Sequence, residues 1–299
     1  MTSIFRGLSA FPITPTDPAG RVDVAALTAL VKRLRVSGVS SVGLLGSTGG
    51  YAYLTQSERQ RAVVAARDAI TDDRALIISV GALRTDDAIA LAQDAAEAGA
   101  DGLLLAPMSY TPLTGDEVFA HFAAVSAATS LPLCIYNNPG TTHFNFDAAL
   151  LERVAALPTV AAVKMPLPAK SDAAAEMADL RPRLPPDFVI GYSGDWGCGV
   201  TLQQGADAWF SVLGGILPAE AVTLLNAARD SDGTEFAQAQ ARLAPLWEMF
   251  QAFGSIRVVY AIVQALGLTS ALPPLPIKSL DDAAKTRVAA ILSALGADN

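Results

Sequence analysis

The feature that most constrains this chain is an alternation of short runs of apolar residues with longer amphipathic, alanine-rich segments. Runs that stay apolar at successive positions suit strands buried on both faces, the pattern of a parallel sheet with helical crossovers. Eight such runs are predicted as strands, at 8–13, 39–46, 75–81, 101–106, 131–136, 159–164, 187–191 and 207–212. Between them, Thr55 with Glu58 and Thr114 with Glu117 have the spacing of capping boxes, and Asp23, Thr85 and Ser171 are single-cap candidates. Gly38, Gly99 and Gly205 each stop a helix just before a strand, at separations that are multiples of one βαβ unit.

Eight such units closing on themselves form an α/β architecture, the (β/α)8 TIM barrel, which takes about 250 residues. A doubly wound open sheet carries fewer strands and a glycine-rich GxGxxG turn, and no such turn follows the first run. After residue 230 the pattern becomes helical with no strands between. The predicted organisation is a barrel catalytic domain over 1–230 and a small C-terminal helical extension over 231–299.

With 52% hydrophobic and 17% charged residues, the chain can bury a large core. A net charge of -8 and the lack of a basic stripe argue against nucleic acid as a partner. No run reaches the roughly 18 apolar residues of a membrane span, and the first residues do not read as a signal peptide, so no membrane association and a cytoplasmic location are expected. The two cysteines, Cys134 and Cys198, are too few for a disulfide framework, and His121 and His143 do not form a metal-like pair. No metal and no other cofactor is expected.

In a barrel, chemistry belongs to the loops after the strands. Lys164 closes the apolar run TVAAVK, whereas Lys32, Lys170, Lys278 and Lys285 lie in polar surroundings. A buried lysine needs a partner or a chemical task. One strand earlier, CIYNNPG places Tyr136 at the same face, and GLLGSTGG after the second strand sets Ser47 and Thr48 among Gly46, Gly49 and Gly50. Each has a plain structural alternative: an ion pair, a core tyrosine, a tight turn. Together an amine, a phenol and a hydroxyl-rich turn suited to a carboxylate fit Schiff-base chemistry, in which a lysine imine serves as the electron sink for making or breaking a carbon–carbon bond.

The three motifs GSTGG (46–50), YNNPG (136–140) and AAVKMP (161–166) are similar to those of the dihydrodipicolinate synthase and N-acetylneuraminate lyase superfamily of pyruvate-dependent class I aldolases. Order and spacing match over about the first 220 residues. The resemblance implies that Lys164 forms the imine with pyruvate or another 2-oxo acid, that Tyr136 shuttles protons and that Ser47 links the phenol to solvent or substrate. It implies substrate contacts from Ser47, Thr48 and Gly49. Phe210, Arg84 and Thr141 are further substrate-binding candidates. It also implies a homotetramer built from two dimers and a small-molecule substrate partnered by an aldehyde.

Three positions depart from the family pattern. Gly50 stands where a glutamate is usual, Thr141 where the synthase has an arginine for a substrate carboxylate, and Ser109, with Tyr110 one place off, where neighbouring synthase subunits lend a tyrosine. The expectation is therefore a lysine-imine lyase or aldolase. The alternatives are the synthase proper, a dehydratase of 2-oxo-3-deoxy acids, and a sensor that binds a 2-oxo acid without turnover.

Overall fold

All eight predicted runs form parallel strands that close into one barrel in chain order, with the last strand pairing back to the first. The computed structural model describes residues 3–35, 38–230 and 233–297. The strands are β1 (Gly7–Ala10), β2 (Ser41–Leu44), β3 (Ala75–Ser79), β4 (Gly102–Leu105), β5 (Leu133–Tyr136), β6 (Val160–Pro166), β7 (Val189–Ser193) and β8 (Ala208–Ser211). Around them run α1 (Val24–Leu34), α2 (Gln56–Ala69), α3 (Thr85–Glu97), α4 (Gly115–Ala127), the single turn α5 (Pro139–Thr142), α6 (Ala148–Ala155), α7 (Ala173–Leu180), α8 (Asp195–Gln203) and α9 (Pro218–Arg229). Three further helices, α10 (Thr234–Phe253), α11 (Ser255–Ala265) and α12 (Asp282–Leu295), follow without a strand. The boundary expected at 230/231 abuts residues 231 and 232, which lie outside the described residues.

The caps act through hydrogen bonds that satisfy the free N–H groups of a first helical turn. Thr114 and Glu117 complete a reciprocal capping box on α4, and the side chains of Asp23 and Thr55 accept from Ala26 and Glu58 backbone N–H. Three expected caps are corrected. Thr55 and Glu58 do not form a reciprocal box, because the Glu58 carboxylate accepts from Val22 N–H instead of from Thr55. Arg84, not Thr85, occupies the cap position of α3, because the Thr85 hydroxyl is spent on His121 Nδ1 at 2.9 Å. Asp172, not Ser171, caps α7; Ser171 sits at φ 53° and its carbonyl accepts from Gln204 Nε2.

Two buried layers separate cleanly. One joins the outer strand faces to the helices. The other fills the lumen with Phe5, Phe11, Ile77, Leu104, Ala106, Cys134, Tyr136, Ala162, Val189, Ala208 and Phe210. Successive strand residues alternate between these layers, as pleating requires. The exception is β6. Leu133 pairs with Val160, but Cys134 pairs with Ala162, so Ala161 is an extra residue in the ladder. Val160 belongs to the outer layer, while both Ala161 and Ala162 pack with the lumen. From there Val163 faces out, and Lys164 faces in beside Tyr136. A bulge that inserts one residue inverts every side chain beyond it; strict alternation from Val160 would have aimed Lys164 at the helices.

Lys164 is not the last residue of its strand, as expected from sequence. Met165 and Pro166 continue the ladder against Tyr192 and Ser193 of β7.

Glycines make the lumen wide enough for its two large rings. A Cβ on Gly43 would lie 2.2 Å from the Phe11 ring, and one on Gly191 would lie 2.6 Å from the Phe210 ring and 2.9 Å from the Ala208 carbonyl. Because the second obstacle is backbone, Gly191→Ala is expected to lower unfolding free energy by about 1 to 3 kcal/mol through overpacking. Urea denaturation measures it; an unchanged midpoint would show that the lumen is looser than this packing implies.

Candidate active site

The bulge, the pleat and the strand register bring one amine into a lumen built of rings. Lys164 is 4% exposed. Its Nζ lies 4.3 Å from the ring centroids of both Phe11 and Tyr136 and 5.7 Å from that of Phe210. Among the described residues it has no hydrogen-bond or carboxylate partner. Aromatic faces partly compensate a cation for lost water, and they offer the nitrogen no hydrogen-bond acceptor.

Tyr136 lies on β5 directly beside Lys164 in register. Its hydroxyl is 3.0 Å from Ser47 Oγ and accepts from Asn138 Nδ2 at 2.9 Å. Ser47 opens the turn after β2. The turn starts from Leu45, held at φ 60°, an uncommon conformation for a branched side chain. Gly50 N–H donates back to the Ser47 carbonyl and closes the turn. Among the described residues the N–H groups of Ser47, Thr48 and Gly49 donate to no other group. They form a compact donor set of the kind that holds a small anion. A side chain at Gly49 would crowd the turn, since its Cβ would come 3.0 Å from Gly46 N and 3.1 Å from Leu45 Cα. Thr48 is buried, and its hydroxyl meets that of Ser255, the first residue of α11, at 3.3 Å. The C-terminal helices thus reach the turn itself.

Behind the turn, Tyr51 and Arg59 are both buried. The Arg59 guanidinium lies 5.1 Å above the Tyr51 ring and donates to the Gly81 carbonyl at the end of β3. Burial pushes the Tyr51 phenol well above its ordinary range and lowers the arginine's. This pair braces the turn against β3. On the opposite side, Asp195 at the start of α8 is fully enclosed. Its carboxylate accepts from Trp209 Nε1 and Ser211 Oγ at 2.8 Å, and from the N–H groups of Leu213 and Val212 at 3.0 and 3.2 Å. Burial raises its carboxyl, and those donors oppose the rise. It fixes the end of β8, and with it Phe210.

Of the residues singled out from sequence, Lys164, Tyr136, Ser47, Phe210 and the Thr48–Gly49 turn come together. Arg84 does not join them: it is exposed and its guanidinium is committed to Asp86. Thr141 is exposed, with its hydroxyl donating to the Asn138 carbonyl at 3.4 Å. Ser109 is half-buried and Tyr110 is 98% exposed. Gly50 lies at φ 69° and, with Gly49, lines a cavity of about 1040 Å3 bounded also by Thr14, Arg61 and Lys278; Lys164 and Tyr136 do not line it. Cys134 and Cys198 are buried, and burial holds both as thiols. No group of histidine, cysteine or acidic side chains among the described residues could hold a metal.

Sequence reasoning missed Phe11, Asn138, Arg59, Asp195 and Ser255. Phe11 was inside a predicted strand, and its bulk opposite Gly43 was the available signal. Asn138 stood inside a quoted motif without a role. Arg59 and Asp195 carried no signal, because a charge on a helix is ordinarily solvated.

The comparisons with known proteins agree with this geometry. The family model described as Dihydrodipicolinate synthetase family matches residues 4–295. A 4-hydroxy-tetrahydrodipicolinate synthase of Corynebacterium aurimucosum is 31% identical, with 90% of this chain and 87% of the relative covered. One from Salinibacter ruber is 30% identical over 95% of this chain and 93% of its own. The crystal structure of a dihydrodipicolinate synthase from Agrobacterium tumefaciens superposes with a TM-score of 0.96 at 55% identity, covering 98% of both chains. The chain belongs to the dihydrodipicolinate synthetase family, and it is a lyase of that family with the TIM-barrel fold.

Proposed function

We propose that the chain is a class I lyase that joins pyruvate or another 2-oxo acid to an aldehyde, or cleaves the product, through an imine on Lys164. The observation that carries this reading is the buried Lys164 amine, walled by three rings and lacking any partner among the described residues. An amine so placed is a nucleophile rather than half of an ion pair.

The substrate carboxylate is held by the N–H groups of Thr48 and Gly49 and by the Ser47 and Thr48 hydroxyls. The Lys164 nitrogen bonds to the ketone carbon to give a carbinolamine. Tyr136 then gives its proton, by way of the Ser47 hydroxyl, to the carbinolamine oxygen, which leaves as water with the bonding pair, so that an iminium and a phenolate result. The phenolate takes a proton from the neighbouring carbon, and the enamine formed attacks the aldehyde carbon, whose oxygen takes that proton back from the Tyr136 phenol; water then adds to the regenerated iminium and frees Lys164. Ser47 links the phenol to the substrate. No cofactor enters this sequence, and the lysine itself is the electrophilic device.

We place the enzyme in the cytoplasm as a tetramer of two dimers, in which Tyr110 and Ser109 lie at a subunit contact. The almost complete exposure of the Tyr110 ring supports a surface covered by a second copy.

The names of the relatives favour a second reading, 4-hydroxy-tetrahydrodipicolinate synthase proper. Against it, Thr141 offers one neutral hydroxyl where that enzyme's substrate carboxylate wants a guanidinium, and Arg84 is engaged with Asp86. Losing a hydrogen bond to a charged group weakens binding about 10- to 150-fold. A coupled assay with pyruvate and aspartate semialdehyde is therefore expected to run far below the rate with a neutral aldehyde chosen from a panel. A biosynthetic rate with aspartate semialdehyde would restore the synthase reading, and its loss in Arg84→Ala would name the compensating cation.

Tyr136→Phe is expected to keep a trappable imine at equilibrium while turnover with the best aldehyde falls about 100- to 10,000-fold, the range of general acid–base catalysis. Steady-state rates and borohydride trapping measure the two. Wild-type turnover in the variant would remove the phenol from the proton path.

A further inference from the structure

The phenolic oxygen of Tyr136 has two polar neighbours of unlike kind. Ser47 Oγ, at 3.0 Å, can give or take a hydrogen bond. Asn138 Nδ2, at 2.9 Å, can only give one. We propose that Asn138 is a positioning residue of the proton relay: by donating to the Tyr136 oxygen it turns the single phenolic proton toward Ser47 and steadies the phenolate once that proton has left. The proposal rests on the lysine-imine reading above.

Local structure fixes this amide. Pro139 keeps Asn138 out of the helical region, at φ -137° and ψ 73°. The Asn138 carbonyl accepts from the N–H groups of Thr141 and Thr142 and from the Thr142 hydroxyl, all at 3.0 Å, so the backbone beneath the side chain is anchored. Asn137 next to it is spent elsewhere: it is buried, with its Nδ2 3.6 Å from the Met165 sulfur and its Oδ1 accepting from Phe146 N–H. The two adjacent asparagines thus have separate tasks. Asn137 locks β5 to β6, and Asn138 alone reaches the reacting phenol.

The chemistry needs such a donor at two moments. When the phenol O–H bond breaks, its proton passes to the Ser47 hydroxyl, which gives its own proton to the departing carbinolamine oxygen; water leaves, and the negative charge stays on the Tyr136 oxygen under the Asn138 N–H. When that oxygen recovers a proton from the substrate carbon, the same N–H holds one lone-pair direction, and the proton returns on the side of Ser47. A neutral N–H donor steadies a charged oxygen without giving up its own proton.

The test uses the full chain with pyruvate as the probe, comparing the wild type with Asn138→Leu and Asn138→Asp. Borohydride-trapped imine at equilibrium reports Lys164, and exchange of the pyruvate methyl protons for deuterium reports the relay. Trapping is expected to stay within about twofold of wild type in both variants. Exchange is expected to slow about 10-fold in Asn138→Leu and about 100-fold in the isosteric Asn138→Asp, where a carboxylate faces the forming phenolate. Exchange at the wild-type rate in either folded variant overturns the proposal, as does parallel loss of trapping and exchange in Asn138→Asp, which would mark a purely structural role. If the wild type traps no imine, the lysine-imine reading fails and the proposal falls with it.

Discussion

The site depends on one inserted residue. Ala161 interrupts the pairing of β5 with β6 and inverts the phase of everything after it, so that Lys164 enters the lumen beside Tyr136 instead of the helical layer. Val163 and Met165 share the inversion, since both pack in the outer layer because of it. A bulge that unsettles a ladder next to the chemistry is a common device for re-aiming a side chain.

Once the amine is inside, the remaining parts are arranged around an amine that touches no carboxylate among the described residues. Phe11 and Phe210 exclude water from two sides, and each ring has room because a glycine stands opposite it. The buried acid, Asp195, spends all of its acceptor capacity on the end of β8 instead of pairing with the lysine. Donors for an anion come from backbone N–H groups in a turn that Arg59, Tyr51 and Ser255 hold from behind. The hydrogen-bonded Asp195 carboxyl acts on the amine only through space, and the donors for an anion stand at a neighbouring position, an arrangement that suits a nucleophile meeting a carboxylate-bearing ketone.

Much of this was legible in the sequence, for physical reasons. A parallel barrel strand must be apolar on both faces, and the eight runs announced themselves by that requirement. The motifs around Ser47, Tyr136 and Lys164 were found because strand ends concentrate chemistry in this fold. What stayed hidden depends on three-dimensional register. Ala161 and Ala162 are two alanines in a run of small residues, and nothing in TVAAVK says that both face inward. Thr85 reads as a cap until His121 is known to stand across from it. Arg84 reads as a cation on the catalytic face, whereas Asp86, two residues on, claims it. The contribution of α11 through Ser255 required knowing how the terminal helices fold back.

The central claim is that the inward amine of Lys164 is the group that bonds to the substrate. The most direct measurement is peptide mapping by mass spectrometry after reduction of the full chain with borohydride in the presence of pyruvate. A stable adduct on the peptide containing Lys164, with Lys170, Lys278 and the remaining lysines unmodified, is the predicted result. An unmodified Lys164 in enzyme that turns over normally would contradict it.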